Sequence, residues 1–305
     1  MQVYDLIIIG AGPAGITASV YSARKKLDFL VISLDIGGQA AWSGDIQNYT
    51  GYQFISGPDL AQKFQEHMLK YDTALRENEE VLELKKSGDI FLVKTNKADY
   101  QSRSVIIASG KKSRELGVSG EKEFKNRGLT YCATCDGPLF GAKTVAVIGG
   151  GNSALDAVLQ LVKIARQVYI INNTPSLGGD AVMRQKVEAA ANVSVFNNSQ
   201  VVSVTGNKFV DAIKIKDNAG VRELAVQGVF VEIGLIPNSA FVVGVEKNNQ
   251  GEIMVNSRNE TNIPGAFAAG DVTDVSEKQI IIAAGEGSKA ALSASKYLAR
   301  NRFNR

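Results

Sequence analysis

The stretch VYDLIIIGAGPAGITA, Val3 to Ala18, decides the fold. Val3 to Ile9 is a mostly apolar run, as expected of a parallel strand buried on both faces. Gly10-Ala11-Gly12-Pro13-Ala14-Gly15 follows, and Ile16 to Ala23 then reads as a helix. This is G-x-G-x-x-G after a strand and opening a helix, the setting that makes the pattern informative. The first glycine permits the tight turn, the second lets a pyrophosphate approach the backbone, and the third lets the helix pack on the strand. The pyrophosphate then meets the positive end of the helix dipole.

The pattern returns downstream. Thr144 to Ile148 is a second buried-strand run, followed by Gly149-Gly150-Gly151-Asn152-Ser153-Ala154 and a helix-like Leu155 to Ala165. Each cradle is followed by a strand-rich stretch, Val81 to Leu92 and then Val201 to Leu224. Each copy closes on a strand running into glycine, Val105 to Gly110 and Val229 to Gly234. The chain thus holds two copies of one plan. The expected class is α/β, with two Rossmann-like three-layer dinucleotide-binding domains. A third signal is Gly265 to Asp271, where small residues suit a backbone–ligand approach and Asp271 can accept from a hydroxyl. An ordinary turn with a capping Asp is the plainer reading of that segment taken alone.

A chain of 305 residues has room for two ordinary domains. Its 45% hydrophobic and 21% charged residues are those of a globular protein. A net charge of +3 is too small to call for nucleic acid or a membrane surface. No window reaches the ~20 apolar residues of a membrane span. The first residues lack the basic leader and cleavage site of a signal peptide, so a cytoplasmic location is expected. There a lasting structural disulfide is unusual, and C-x-x-C reads as catalytic or metal-binding. The only two cysteines lie in Tyr131-Cys132-Ala133-Thr134-Cys135-Asp136-Gly137. A zinc site needs four ligands, and beyond these thiols the chain offers one histidine, His67, on a polar helical stretch. No metal is therefore expected. Inert core cysteines would not explain Thr134 and Asp136. Thiols at this spacing can close a disulfide, with one thiol pKa lowered, and Asp136 can move the proton that exchange requires.

On Gly10–Gly15, Gly37-Gly38-Gln39, Asn48, the CATCDG at Cys132–Gly137, Gly149–Ala154, Ala268–Val272 and Lys278-Gln279-Ile280, the sequence resembles the low-molecular-weight thioredoxin reductases, from Tyr4 to about Leu298. These are two-dinucleotide-binding-domain flavoproteins. The resemblance implies a FAD domain in two segments, 1–114 and 243–305. A pyridine-nucleotide-type domain, 115–242, is inserted between them and carries the redox pair. FAD would rest on Gly10, Gly12, Pro13, Ala14 and Gly15, with Gly38, Gln39, Asn48, Gly270, Asp271, Gln279 and Ile280 around the remainder. Asp35 is the acid nearest the place of the usual ribose partner, ~20 residues past the cradle. Cys135 would receive electrons from the flavin, Cys132 would attack the acceptor's disulfide, and Asp136 would manage protons. Thioredoxin or a thioredoxin-like protein would be the acceptor, the protein a homodimer, and the inserted domain would rotate on hinges at Leu116-Gly117-Val118 and Gly234 to Asn238.

The donor is the point of departure. Gly149, Gly151, Asn152, Ser153 and Ala154 are expected to hold NADPH or NADH. The family's next strand ends in His-Arg-Arg, whose cations grip the NADPH phosphate. Here it ends in Asn172-Asn173-Thr174-Pro175, and Gln167 to Met183 holds no Arg or Lys. A phosphate normally takes charge-assisted contacts from arginine. Three readings stay open. In one, nicotinamide binds through Asn172, Asn173 or Arg184. In another, the fold is retained while a ferredoxin or a deazaflavin reduces the flavin. In the third, the Thr174 to Asp180 loop offers a main-chain nest. Two rivals remain, a ferredoxin–NADP reductase-like flavoprotein, which typically lacks C-x-x-C, and a non-catalytic redox sensor.

Overall fold

Val3–Ala11 lies in the middle of a sheet ordered, among the described residues, Ala74–Glu77, Phe29–Ile36, Val3–Ala11, Asp99–Ile107, Ile90–Thr95 and Val81–Ser87. The computed structural model describes residues 2–42, 45–46 and 48–302. Ala266–Ala268 adds a strand parallel to Asp99–Ile107. The first four strands of this order pair in parallel, and Ile90–Thr95 pairs antiparallel with both Asp99–Ile107 and Val81–Ser87. Successive side chains point to opposite faces, and both faces are covered. Leu6, Ile8, Val31 and Ile106 pack with residues of the helices Pro13–Arg24 and Ile280–Arg302. Ile7, Ile9, Leu30 and Ile32 pack instead with Leu84, Phe91, Val242 and Ile253. Hence the strand reads as a run and not as an alternation. Asp5, its polar interruption, is buried against Arg103 at 2.8 Å.

The second sheet repeats the plan in the order Leu129–Thr130, Gly228–Val231, Thr144–Ile148, Gln167–Ile171 and Val193–Phe196, all parallel. Val145, Val147, Val168 and Phe230 pack with the helix Asn152–Leu161. Ala146, Ile148, Val229 and Val231 pack with Val201, Val204, Ile213 and Ile215, from the antiparallel strands Gln200–Gly206 and Val210–Asp217.

The chain divides into one unit of Met1–Lys112 with Ile236–Arg305 and another of Ser113–Leu235, the second inserted in the first. The later boundary moves from the expected 242/243 to 235/236, because the segment after 235 hydrogen-bonds into the first sheet. Leu84 N donates to Phe241 O and Val243 N donates to Leu84 O, both at 2.9 Å, and Val242 joins that core. The earlier one moves from 114/115 to 112/113, and Arg114 N donates to Gly234 O within the second unit. Leu116-Gly117-Val118, read as a hinge, lies inside the second unit. The Glu121 carboxylate accepts from Leu116 N at 2.6 Å and Gly117 N at 2.7 Å, so the segment is tied down. No helix among the described residues is long and apolar enough to cross a membrane.

Candidate functional site

The first cradle closes at its outer glycines and opens at its middle one. A side chain on Gly10 (φ +105°) would begin 2.3 Å from Ala108 O, and one on Gly15 would begin 1.9 Å from Gly10 O. Both positions exclude a Cβ. At Gly12 a Cβ would meet nothing within 4 Å. The helix Pro13–Arg24 begins there with no side chain capping its first amides. Open space facing uncapped amides at the positive end of a helix fits a pyrophosphate. Gly38 lies 3.4 Å from Gly12 Cα, and Gly270 lies 3.0 Å from the Ala14 side chain, both measured from an added Cβ.

The other expected FAD residues attach to this cluster. Asp35 is exposed near the end of Phe29–Ile36, just before Gly37 N donates to Ala11 O at 2.8 Å. Gln39, in the turn Gly38–Trp42, donates to Lys111 O at 3.0 Å. Asn48 Nδ2 donates to Gln279 Oε1 at 2.9 Å, beside Ile280 at the start of the long helix. A Cβ added to Gly270 would lie 3.4 Å from the side chain of Ala283, one turn on. Burial pushes the Asp271 carboxyl upward, opposed by the charges of Lys278 and Lys111.

The second cradle has the same form. A Cβ on Gly149 (φ +134°) would lie 2.2 Å from Glu232 O and 3.2 Å from the Ala154 side chain, whereas one on Gly151 would meet nothing within 4 Å. The helix Asn152–Leu161 is likewise uncapped by side chains. The cradle, with Asn152 and Ser153, opens on a cleft of about 610 Å³ that Asn173, Glu232 and Arg114 also line. The loop beyond the next strand differs from each nucleotide-binding role read for it, except at Asn173. Asn172 is buried and its amide is consumed: Nδ2 donates to Thr174 O and to Asn197 Oδ1, and Oδ1 accepts from Thr174 Oγ1 at 2.9 Å. Arg184 turns toward the loop, donating to Leu177 O at 3.3 Å. A main-chain nest loses two of its amides, because Gly178 N donates to Gly150 O at 2.8 Å and Asp180 N to Asn152 Oδ1 at 2.7 Å. Asp180 itself caps the helix Ala181–Glu188.

Within the same unit, Cys132 is disulfide-bonded, and Cys135 is the chain's one other cysteine. The Cys135 backbone lies in the short helix Ala133–Asp136, while its side chain and that of Thr134 lie outside the described residues. The Thr130 hydroxyl donates to the Asp136 carboxylate and accepts from the Cys132 amide at 3.2 Å, so one side chain sets the acid against the cysteine. Tyr131 is pinned by its hydroxyl, which donates to Glu121 at 2.7 Å. Burial, then the Glu121 carboxylate, holds that phenol well above its ordinary range.

The sequence matches the family described as Pyridine nucleotide-disulphide oxidoreductase over residues 4–287. The chain belongs to the pyridine nucleotide-disulphide oxidoreductases. This is a FAD-binding family. The chain is 40% identical over 301 residues to an NADH dehydrogenase of Ferdinandcohnia aciditolerans, covering 98% of this chain and 58% of that protein. It is 40% identical to a subunit of alkyl hydroperoxide reductase of Pseudomonas putida, over 98% of this chain and 59% of that one. The chain therefore spans somewhat under three-fifths of the curated relatives it matches. Among solved structures, thioredoxin reductase of Lactococcus lactis in its FR conformation superposes with a TM-score of 0.80, at 33% identity, over 97% of this chain and 99% of that one. A ferredoxin-flavin thioredoxin reductase of Clostridium acetobutylicum gives 0.57 at 30% identity, over 99% of this chain and 100% of that chain.

Two side chains escaped the sequence reading of this oxidoreductase site. Thr130 carries no pattern of its own, although a hydroxyl two residues before the first cysteine is a visible cue. Glu232 was legible as an acid ending the apolar run Gly228–Val231. Burial, with the Asp156 charge, pushes its carboxyl up to about 7, and the Ala133 backbone amide works against that rise. Among the described residues no group of three or more His, Cys, Asp or Glu could hold a metal. His67 lies on the helix Gly57–Leu69, 5.9 Å from the Tyr71 ring.

Proposed function

We propose that this chain is a FAD-dependent disulfide reductase that passes electrons from NADH through FAD and the Cys132–Cys135 pair to thioredoxin or a thioredoxin-like protein. The observation that carries this reading is one unit holding both an open, uncapped cradle at Gly151 and a disulfide-bonded Cys132 set against Asp136. FAD, when bound, supplies a two-electron relay between donor and disulfide. In the first unit, Gly10, Gly12 and Gly15 would hold its pyrophosphate, Asp35 its ribose, and Asp271 and Gln279 its further polar groups. In the second, Thr130 keeps Asp136 beside Cys132, where the acid can deliver a proton to a departing thiolate and recover it afterwards. Cys132 attacks the acceptor and Cys135 resolves the mixed disulfide. Leu139, three residues past Asp136 and 68% exposed, offers the acceptor an apolar contact beside the motif.

NADH is favoured over NADPH because the strand end at Asn172 and Asn173 supplies no cation for a phosphate, and relatives of this chain are named NADH dehydrogenases. A ferredoxin-type donor is the second reading. It is supported by the loop whose Gly178 amide is bonded to Gly150 of the cradle, and by the likeness to a ferredoxin-flavin enzyme. Anaerobic mixing of the oxidised holoprotein with NADH, NADPH or reduced ferredoxin separates the two, with flavin bleaching as the signal. Bleaching by NADH at micromolar concentration is expected. If dithionite-reduced protein passes no electrons to any thioredoxin, the disulfide-reductase reading fails whatever the donor.

A further inference from the structure

Two lysines of the first unit close on a single carboxylate. Lys111 Nζ lies 2.6 Å and Lys278 Nζ 3.2 Å from the same Glu252 oxygen, Oε1, while Oε2 accepts from Asn248 Nδ2 at 2.7 Å. The side chains of Lys111, Lys278 and Glu252 are 10%, 21% and 8% exposed, so salt and water screen them little. Either lysine alone would neutralise Glu252. The second ammonium is surplus, and a desolvated cation is unfavourable unless something negative answers it. Asp271 feels the charge of both lysines but hydrogen-bonds to neither among the described residues. Both lysines are also tied to the first cradle. Gln39 Nε2 donates to Lys111 O at 3.0 Å, and Gly38 beside it is the glycine that approaches Gly12. Lys278 Nζ donates to Thr273 O at 2.5 Å, Thr273 N donates to Gly270 O at 3.0 Å, and Gly270 approaches Ala14 of the cradle. Lys278 directly precedes Gln279, the partner of Asn48. The surplus charge thus sits among the residues that would surround FAD beyond its pyrophosphate.

We infer that the Lys111–Glu252–Lys278 triad sets the potential of the flavin: its unanswered cation favours the reduced, negatively charged cofactor, and Glu252 limits that effect to one charge. A flavin that takes up two electrons and one proton gains one negative charge, and charge held near its ring nitrogens tunes its electronics. The inference rests on the FAD part of the reading above, and neither the donor nor the acceptor enters it. A brace between chain segments would need the two ion pairs but not their sign. The two roles therefore differ in what a charge-conserving change does.

The test uses the full chain loaded with FAD and carrying Cys132→Ser and Cys135→Ser, so that only the flavin takes electrons. Xanthine and catalytic xanthine oxidase reduce it anaerobically beside an indicator dye of known potential. Xanthine and water give urate, two electrons and two protons; both electrons and one proton go to the flavin, and the other proton goes to the buffer. Absorbance gives the ratio of reduced to oxidised flavin at each state of the dye. Lys111→Met should lower that ratio about tenfold, the effect of one unit charge out to roughly 12 Å at an effective dielectric of about 20, or about 30 mV for a two-electron couple. Lys278→Met should lower it likewise, and it supplies the measurement if Lys111→Met does not fold. Lys111→Arg keeps the charge and should keep the ratio. Lys111→Met combined with Glu252→Gln removes one charge of each sign and should bring the ratio back towards the starting protein, which loss of a brace would not do. If the Lys→Met variants, loaded with FAD, match the starting protein, or if the double change falls further than Lys111→Met, the inference is overturned and the reductase reading stands. A folded Lys111→Met that takes up no FAD overturns it too, since the charge would then serve binding. An unsubstituted chain that takes up no FAD removes both.

Discussion

Gly151→Val separates the two cradles' tasks. Gly151 precedes its helix at φ −93° and ψ −172°, extended backbone that a β-branched residue adopts readily. An added Cβ meets nothing within 4 Å, so folding stability should change by no more than about 1 kcal/mol. The same open space is where a dinucleotide pyrophosphate must approach. Filling it with an isopropyl group forfeits the amide–phosphate bonds. Two charge-assisted bonds at about 1.5–3 kcal/mol each amount to about 3–6 kcal/mol, or roughly 10²–10⁴-fold in affinity. The assay is anaerobic flavin bleaching as a function of NADH concentration, beside dithionite-driven reduction of thioredoxin by the same preparation. The variant should stay yellow, keep the dithionite-driven activity, and need at least a hundredfold more NADH, the lower end of that estimate. Gly12→Val should instead lose FAD. Bleaching of Gly151→Val at the wild-type NADH concentration would mean that NADH reduces the flavin without using this cradle, and the placement of the donor at Gly151 would fall.

Thr130→Val, nearly isosteric, removes the hydroxyl that joins Asp136 to the Cys132 amide. Leaving these groups unpaired costs about 1–3 kcal/mol. Thioredoxin reduction should fall about tenfold at unchanged NADH bleaching, measured by steady-state and single-turnover kinetics on one sample, since 1.4 kcal/mol is tenfold. Glu232, raised from 4.5 to about 7, stabilises the fold fully below pH 4.5, and that contribution is lost as pH rises through about 7. Calorimetry should thus find Glu232→Gln more stable than wild type at pH 8, by about 2 kcal/mol after allowance for partial exposure, with no gain at pH 4. Glu252 behaves oppositely. Burial would raise it, but hydrogen bonds from Lys111, Asn248 and Lys278 bring it down to about 2. Its contribution is present above pH 4.5 and lost as pH falls through about 2, so Glu252→Gln should destabilise at pH 7, by about 3–5 kcal/mol for a broken buried pair. Equal thermal stability of that variant and wild type at pH 7 would refute the assignment.

What the sequence disclosed follows the range over which each feature is decided. The runs Val3–Ile9 and Thr144–Ile148 announce a sheet covered on both faces, because burial acts on every residue of such a strand. The cradle glycines are equally local: Gly10 and Gly149 each back onto a neighbouring strand end and admit no side chain. The boundary expected near 242 lies earlier because its evidence is the pairing of Phe241 and Val243 with Leu84, some 160 residues away and without a local mark. Glu232 and Ala133, a hundred residues apart, pose the same difficulty at the site.

Asn172 shows how a local absence acquires a long-range cause. The missing cations at this strand end are visible in the sequence, but the structure adds that the position is no longer a ligand position. The Asn172 side chain points inward and holds Thr174 and Asn197, and a Cβ on Gly150 would lie 2.3 Å from its Oδ1. Gly150 is therefore required by Asn172, and its carbonyl in turn receives Gly178 N and seats the loop. A single basic substitution at 172 cannot restore a phosphate site, because it would evict a buried amide and collide with Gly150. Asn173, which lines the cleft, is the nearer position from which a changed side chain could reach a cofactor. Asn173→Arg should thus strengthen NADPH binding relative to NADH, whereas Asn172→Arg should first unfold the loop. Equal gains from the two substitutions, measured as the ratio of NADPH to NADH affinity, would contradict the inward placement of Asn172.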